Sequence, residues 1–193
     1  MEVLRKLLSA YRRYGFSVLR VALGKAFPSM APCEQIDVYE QTLPPTDAQA
    51  VEWTVSRVEH PRDPLLATLQ SKFGCPALTR KADPRTECYV ALSGAEVVGY
   101  AWVIFEEFVI KELDYLYTMS AGEFFIFDCF VPEDWRGKGI YPAMLSAILS
   151  DQSQRNPSLR RALIGVSSLN RSSARGIIKA GFVLHSSITR ETC

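Results

Sequence analysis

The stretch from Glu123 to Ser150 constrains the fold of this chain more than any other. Glu123 to Val131 is crowded with Phe and Ile, which suits a buried, pleated strand. Gly137 to Ser150 then places Met144, Leu145, Ile148 and Leu149 at helical spacing. The connection between them carries Trp135-Arg136-Gly137-Lys138-Gly139. A strand that feeds a helix through a glycine-containing basic loop puts the chain in the α/β class.

The remaining pattern extends that class. Gln35 to Gln41 alternates Ile36 and Val38 with polar neighbours and reads as a strand. Thr46, with Gln49 three residues on and Ala50, Val51, Trp53 and Val55 behind it, predicts a capped helix. A second helix is expected over Pro64 to Phe73, then a loop over Lys72 to Arg85. Glu87 to Leu92 and Glu96 to Glu106 flank Ser93-Gly94-Ala95 as a hairpin. Glu107 to Ala121 reads equally as a helix or as a loop over a site. Arg161 to Ser167 is a strand, Ser172 to Ala180 a helix stopped by Gly181, and Phe182 to Thr189 a last strand.

The loop after the best strand carries chemistry. The first amides of a helix have no intrahelical partner and carry partial positive charge, so an anion is stabilised there. Gly137 and Gly139 permit close backbone approach, and Arg136 and Lys138 add charge. Pro142 suits a first helical turn. A triphosphate loop needs a longer glycine spacing and a Ser or Thr for magnesium, and a dinucleotide fingerprint needs a third glycine; neither pattern is present. On these residues alone, a tight turn with surface charges remains an alternative.

Whole-chain properties narrow the partners. The length of 193 residues fits one domain with a full core, and 48% apolar content is that of a globular protein. A net charge of +1 provides no global field for nucleic acid, so no nucleic-acid partner is expected. Five cysteines without a CxxC pair, with only two histidines, argue against a zinc site or disulfide framework, and no metal is expected. A reducing, cytoplasmic location fits this cysteine usage.

Residues 1–33 read as a separate amino-terminal unit, a basic amphipathic helix over Met1 to Phe27 followed by a Pro-containing linker. Leu4, Leu7, Leu8, Tyr11, Val18 and Ala22 form one stripe, opposed by Arg5, Lys6, Arg12, Arg13 and Arg20. It either packs on the domain with a solvated face or makes peripheral contact with a partner or the inner face of an anionic membrane.

Two sequence patterns in register resemble those of the GNAT superfamily, the acyl-CoA N-acyltransferases. Arg136, Gly139 and Tyr141 take the defined places of its Q/R-x-x-G-x-G/A motif, and Asn170, Ser173, Gly181 and Phe182 match its downstream pattern. The resemblance covers roughly Gln35 to Thr189, within an expected domain of residues 34–193. It implies a mixed, mostly antiparallel central sheet with flanking helices. It also implies acetyl-CoA as acyl donor, with its pyrophosphate on the amides of Gly137, Lys138, Gly139, Ile140 and Tyr141 beside Arg136. Its pantetheine arm would lie along the strand end at Phe130 and Val131, with Asn170 and Ser173 nearby.

The match departs at two places. Tyr141 stands where Gly or Ala is usual, and Ile177 stands where many relatives carry a tyrosine that protonates the leaving thiolate. The chain also ends soon after Phe182 to Thr189, so a final strand common in relatives is expected to be missing.

An ammonium acceptor must lose a proton before attack. Asp128, a carboxylate in an apolar strand, is the first candidate base, and a structural carboxylate held by backbone or arginine is the alternative. Glu123, at the start of the strand, is the second candidate.

The expected function is acetyl transfer from acetyl-CoA to a primary amine of a small molecule, an amino sugar being one class. The competing reading is a non-catalytic CoA-binding or partner-docking module. Oligomeric state is not legible.

Overall fold

The computed structural model describes residues 35–45 and 53–189. The expected amino-terminal helix and linker, and the Thr46 helix start, lie outside those residues. Seven strands form one sheet in the order β2-β3-β4-β7-β8-β1-β9, where β1 is Gln35–Thr42, β2 Thr54–Val58, β3 Thr86–Ser93, β4 Glu96–Phe105, β7 Glu123–Phe130, β8 Arg161–Ser167 and β9 Val183–Thr189. Every neighbouring pair is antiparallel except β7 and β8, which are parallel. A separate hairpin joins β5 (Glu107–Ile110) and β6 (Tyr115–Thr118). The helices are α1 (Pro64–Phe73), α2 (Ala77–Lys81), α3 (Ile140–Arg155) and α4 (Arg171–Lys179). This is the mixed, mostly antiparallel sheet with flanking helices that the sequence implied.

Strand alternation divides the core into two layers. On β4, Ala101 and Val103 face one layer with α3 and α4, while Tyr100 and Trp102 face the other with α1. Met144, Leu145, Ile148 and Leu149 of α3 are essentially inaccessible to solvent. Burying each contributes about 2 kcal/mol, which fixes the helix and thereby its amino end. On the opposite layer Leu66 and Leu69 of α1 pack with Cys88, Val90 and Trp102.

Three expectations are corrected. Trp53 to Val55 are not the end of a helix: Thr54 opens β2, whose five residues pair with β3 at the sheet edge. Val55 and Val58 take β-branched places opposite Ala91 and Cys88 of β3. The ambiguous Glu107 to Ala121 is neither a helix nor an unpaired loop. Phe108 and Tyr117 face each other across the β5–β6 hairpin, and both rings pack on Phe125, at 4.9 and 5.5 Å. The expected loop over Lys72 to Arg85 contains α2. β1, from the amino-terminal side of the domain, occupies the slot between β8 and β9.

Candidate active site

β7 and β8 begin side by side and then part. Their ladder runs from Glu123↔Arg161 to Ile126↔Ile164 and stops there, although β7 continues to Phe130 and β8 to Ser167. The cause lies on the other edge of β7. Trp102 opposes Phe127 and Tyr100 opposes Phe130, so Asp128 and Cys129 face the single residue Ala101. Asp128 takes φ 43°, and this bulge bends β7. The far half of β7 thus keeps its β4 partner and leaves its β8-facing backbone edge open.

That open edge leads into the basic loop. Glu133–Trp135 form one 3₁₀ turn, and Arg136 turns back to donate from Nε to the Val131 carbonyl at 3.1 Å. Gly137 and Gly139 both take positive φ, 77° and 78°, with nothing within 4 Å of where a Cβ would stand. Gly139 caps α3 without any side-chain acceptor for the first amides. Ile140 anchors the turn by burying its side chain in the core. Trp53, just before β2, braces the loop: its Nε1 donates to the Lys138 carbonyl at 3.1 Å and its ring meets Trp135 edge-on at 6.0 Å. The Lys138 ammonium stacks over Trp135 at 4.4 Å. The result is a cationic helix start at the end of an unpaired strand edge.

The downstream residues converge on the same end of the sheet. Asn170 caps α4, its Oδ1 accepting from the Ser173 amide at 3.1 Å. That hydrogen bond gives the Asn-x-x-Ser spacing a structural cause. Tyr141 points away from the loop. Its ring lies on α4 against Gly176. Burial pushes the Tyr141 hydroxyl pKa well above its ordinary value and pushes the Cys129 thiol upward too.

The two carboxylates singled out from the sequence are far apart. Asp128 sits at the bulge, is almost fully buried, and is ion-paired with Arg80 of α2 beside Cys75. The Arg80 guanidinium also lies over the rings of Trp102 and Phe127, at 5.7 and 5.3 Å. Phe130 packs its ring on the same layer against Tyr100 and Phe73. Glu123 stands at the other end of β7, about 20 Å from Phe130 by strand rise. It is ion-paired with Arg161 and accepts from the Ser120 amide at 2.8 Å. It borders a cavity of about 390 Å³ with Glu106 and Glu107. Among the described residues, no group of His, Cys, Asp and Glu is arranged to hold a metal, and no helix is long and apolar enough to cross a membrane.

The model of the acetyltransferase (GNAT) family matches residues 47–182. The chain belongs to the GNAT acetyltransferase family. Solved structures share the GNAT fold at low identity. A GCN5-related N-acetyltransferase from Sphaerobacter thermophilus aligns with a TM-score of 0.55 and 20% identity over 92% of this chain and 56% of that one. An aminoglycoside acetyltransferase from an uncultured soil metagenomic sample, in complex with sisomicin, aligns at 0.53 and 12% over 73% of this chain and 95% of that one. A tandem GNAT protein from the clavulanic acid biosynthesis pathway aligns at 0.55 and 12% over 89% and 58%. This GNAT chain therefore spans little more than half the length of some structures it matches. No curated protein matches its sequence.

Proposed function

We propose that this GNAT protein transfers an acetyl group from acetyl-CoA to a primary amine of a small molecule. One observation carries the reading: the unpaired edge of β7 runs directly into the uncapped start of α3. Amides of Gly137 to Tyr141, with Arg136 and Lys138, suit a pyrophosphate, whose charge meets the helix dipole and free N–H groups. The open backbone of Phe130 and Val131 suits an amide-containing arm that pairs as a strand would. Such an arm would carry the thioester into the gap, where an amine attacks the carbonyl carbon and the thiolate leaves.

Asp128 is the carboxylate on β7 nearest the gap, and its part is to position or accept the proton of the incoming amine; Glu123 stands at the wrong end of the strand for that task. An amino sugar is one acceptor class. Membership in an acetyltransferase family favours this catalytic reading over an inert CoA-binding module. The basic segment of Met1 to Phe27 is proposed to touch an anionic membrane surface, and failure to pellet with anionic liposomes at low salt removes that role.

The test is thermal unfolding with and without acetyl-CoA, then thiol release across an amine panel. Saturating acetyl-CoA should raise the midpoint. No stabilisation at any concentration sinks the proposal.

A further inference from the structure

Gly137 and Gly139 leave the basic loop underdetermined. A glycine takes positive and negative φ about equally well. The peptide joining Lys138 to Gly139 can therefore turn over about its own axis, through ψ of Lys138 and φ of Gly139, while the chain on either side stays in place. No protein atom lies within 4 Å of where a Cβ on Gly139 would stand, so no contact on that side chooses between the two orientations.

The orientation decides whether an anion is welcome. In a planar trans peptide the carbonyl and the N–H point opposite ways. Turned one way, the Lys138–Gly139 peptide aims the Gly139 amide out of the loop as a donor. Turned the other way, it puts a carbonyl oxygen there, which repels a phosphate. Among the described residues nothing accepts from the Gly139 amide.

Trp53 makes the choice. Its Nε1 donates to the Lys138 carbonyl at 3.1 Å, across 85 positions of sequence. The indole cannot follow the peptide if it turns. It is half-buried against the core that holds Ile140, and it meets the Trp135 ring at 6.0 Å. The side chain of Lys138 is fixed too, its ammonium standing 4.4 Å over Trp135. An indole nitrogen only donates. It therefore holds a carbonyl on its own side and leaves the Gly139 amide directed away from Trp53. We propose that Trp53 is a positioning residue that locks this peptide with the Gly139 amide presented to the pyrophosphate.

Two side chains thus fix the loop. Arg136 holds its root through the Val131 carbonyl, and Trp53 holds its tip through the Lys138 carbonyl. One ordinary hydrogen bond biases a two-state peptide by up to about tenfold. Apparent affinity scales with the fraction of chains in the competent state, so a loop competent one time in ten binds about tenfold more weakly.

This inference rests on the acyl-CoA reading, and its test separates the two. Trp53 is replaced in the full chain by benzothienylalanine, which keeps the fused ring and exchanges only the N–H for sulfur. CoA affinity is measured by calorimetry, and the Gly139 amide is followed by heteronuclear NMR. CoA should bind the analogue about five- to tenfold more weakly than the native protein. The unfolding midpoint without ligand should stay within about 2 °C. On the native protein the Gly139 amide proton should move downfield as CoA binds. Equal CoA affinity in the two proteins overturns the assignment and leaves the acyl-CoA reading standing. A Gly139 amide unmoved by bound CoA does the same. An analogue whose midpoint falls together with its affinity also overturns it, because Trp53 would then hold the fold and not the peptide. Failure of the native protein to bind CoA overturns both.

Discussion

The ring of Tyr141 fills the space that a side chain at position 176 would need: a Cβ built on Gly176 meets Tyr141 Cδ1 at 2.5 Å. A helix interior normally favours alanine over glycine by about 1 kcal/mol. Here the clash reverses the sign. Gly176→Ala should destabilise the fold by about 1–3 kcal/mol, the cost of overpacking, as read from urea unfolding. With Tyr141→Ala alongside, the penalty should vanish. Strictly additive effects of the two substitutions would show that the ring does not set the glycine.

Gly139 makes a different demand. It has φ 78° and open space where a side chain would go. A valine there strains the backbone by about 1–2 kcal/mol but meets no protein atom. Gly139→Val should stay folded and lose stabilisation by acetyl-CoA. A normal ligand-induced rise in the unfolding midpoint would remove this loop as the pyrophosphate site.

Asparagine tolerates positive φ at least as well as aspartate, so Asp128→Asn leaves the bulge in place. It removes the charge that Arg80 pairs with. Arg80 keeps some contact with solvent, which tempers the loss to about 1–3 kcal/mol. Cofactor binding should be largely kept and turnover slowed. Undiminished turnover at every pH would exclude Asp128 from the chemistry.

Tyr89 gives the fold a basic limit. Burial raises its pKa, and its hydrogen bond to Asp151 at 2.6 Å and the charge of Glu87 raise it further. The folded state therefore favours the neutral phenol. Its contribution is complete below the unfolded value of about 10 and is lost as pH rises beyond it. Unfolding free energy should fall more steeply above about pH 10 in the native protein than in Tyr89→Phe. In that variant Arg155 still pairs with Glu87 and Asp151 and holds the helix to the strand. Equal slopes would mean that Tyr89 ionises as freely in the fold as in the open chain.

The βα unit around the loop was legible because its signals are local: an apolar strand, two glycines and a helical stripe within thirty residues. The opening beside it was not. It depends on a bulge at Asp128, which is visible only in the pairing of β7 with β4. In the sequence Tyr141 is only a departure from the Gly or Ala of the motif, because its space is made by a glycine on another helix. Likewise the arginine that holds Asp128 comes from a short helix in a stretch rich in loop residues. The apolar spacing at Trp53 and Val55 suited a helix, and only pairing with the edge of β3 makes Thr54–Val58 a strand.

The position of β1 between β8 and β9 has a consequence for how the sheet is assembled. Glu40 and Arg161, hydrogen-bonded across β1 and β8, stand 121 positions apart. β1 therefore leaves the ribosome with neither neighbour yet made, both edges bare and prone to foreign pairing. The sheet closes only when the carboxyl end arrives, after a long loop-closure search. A chain stalled before Val183 holds β1 against β8 with one edge open, which is the state a chaperone would be needed to shield.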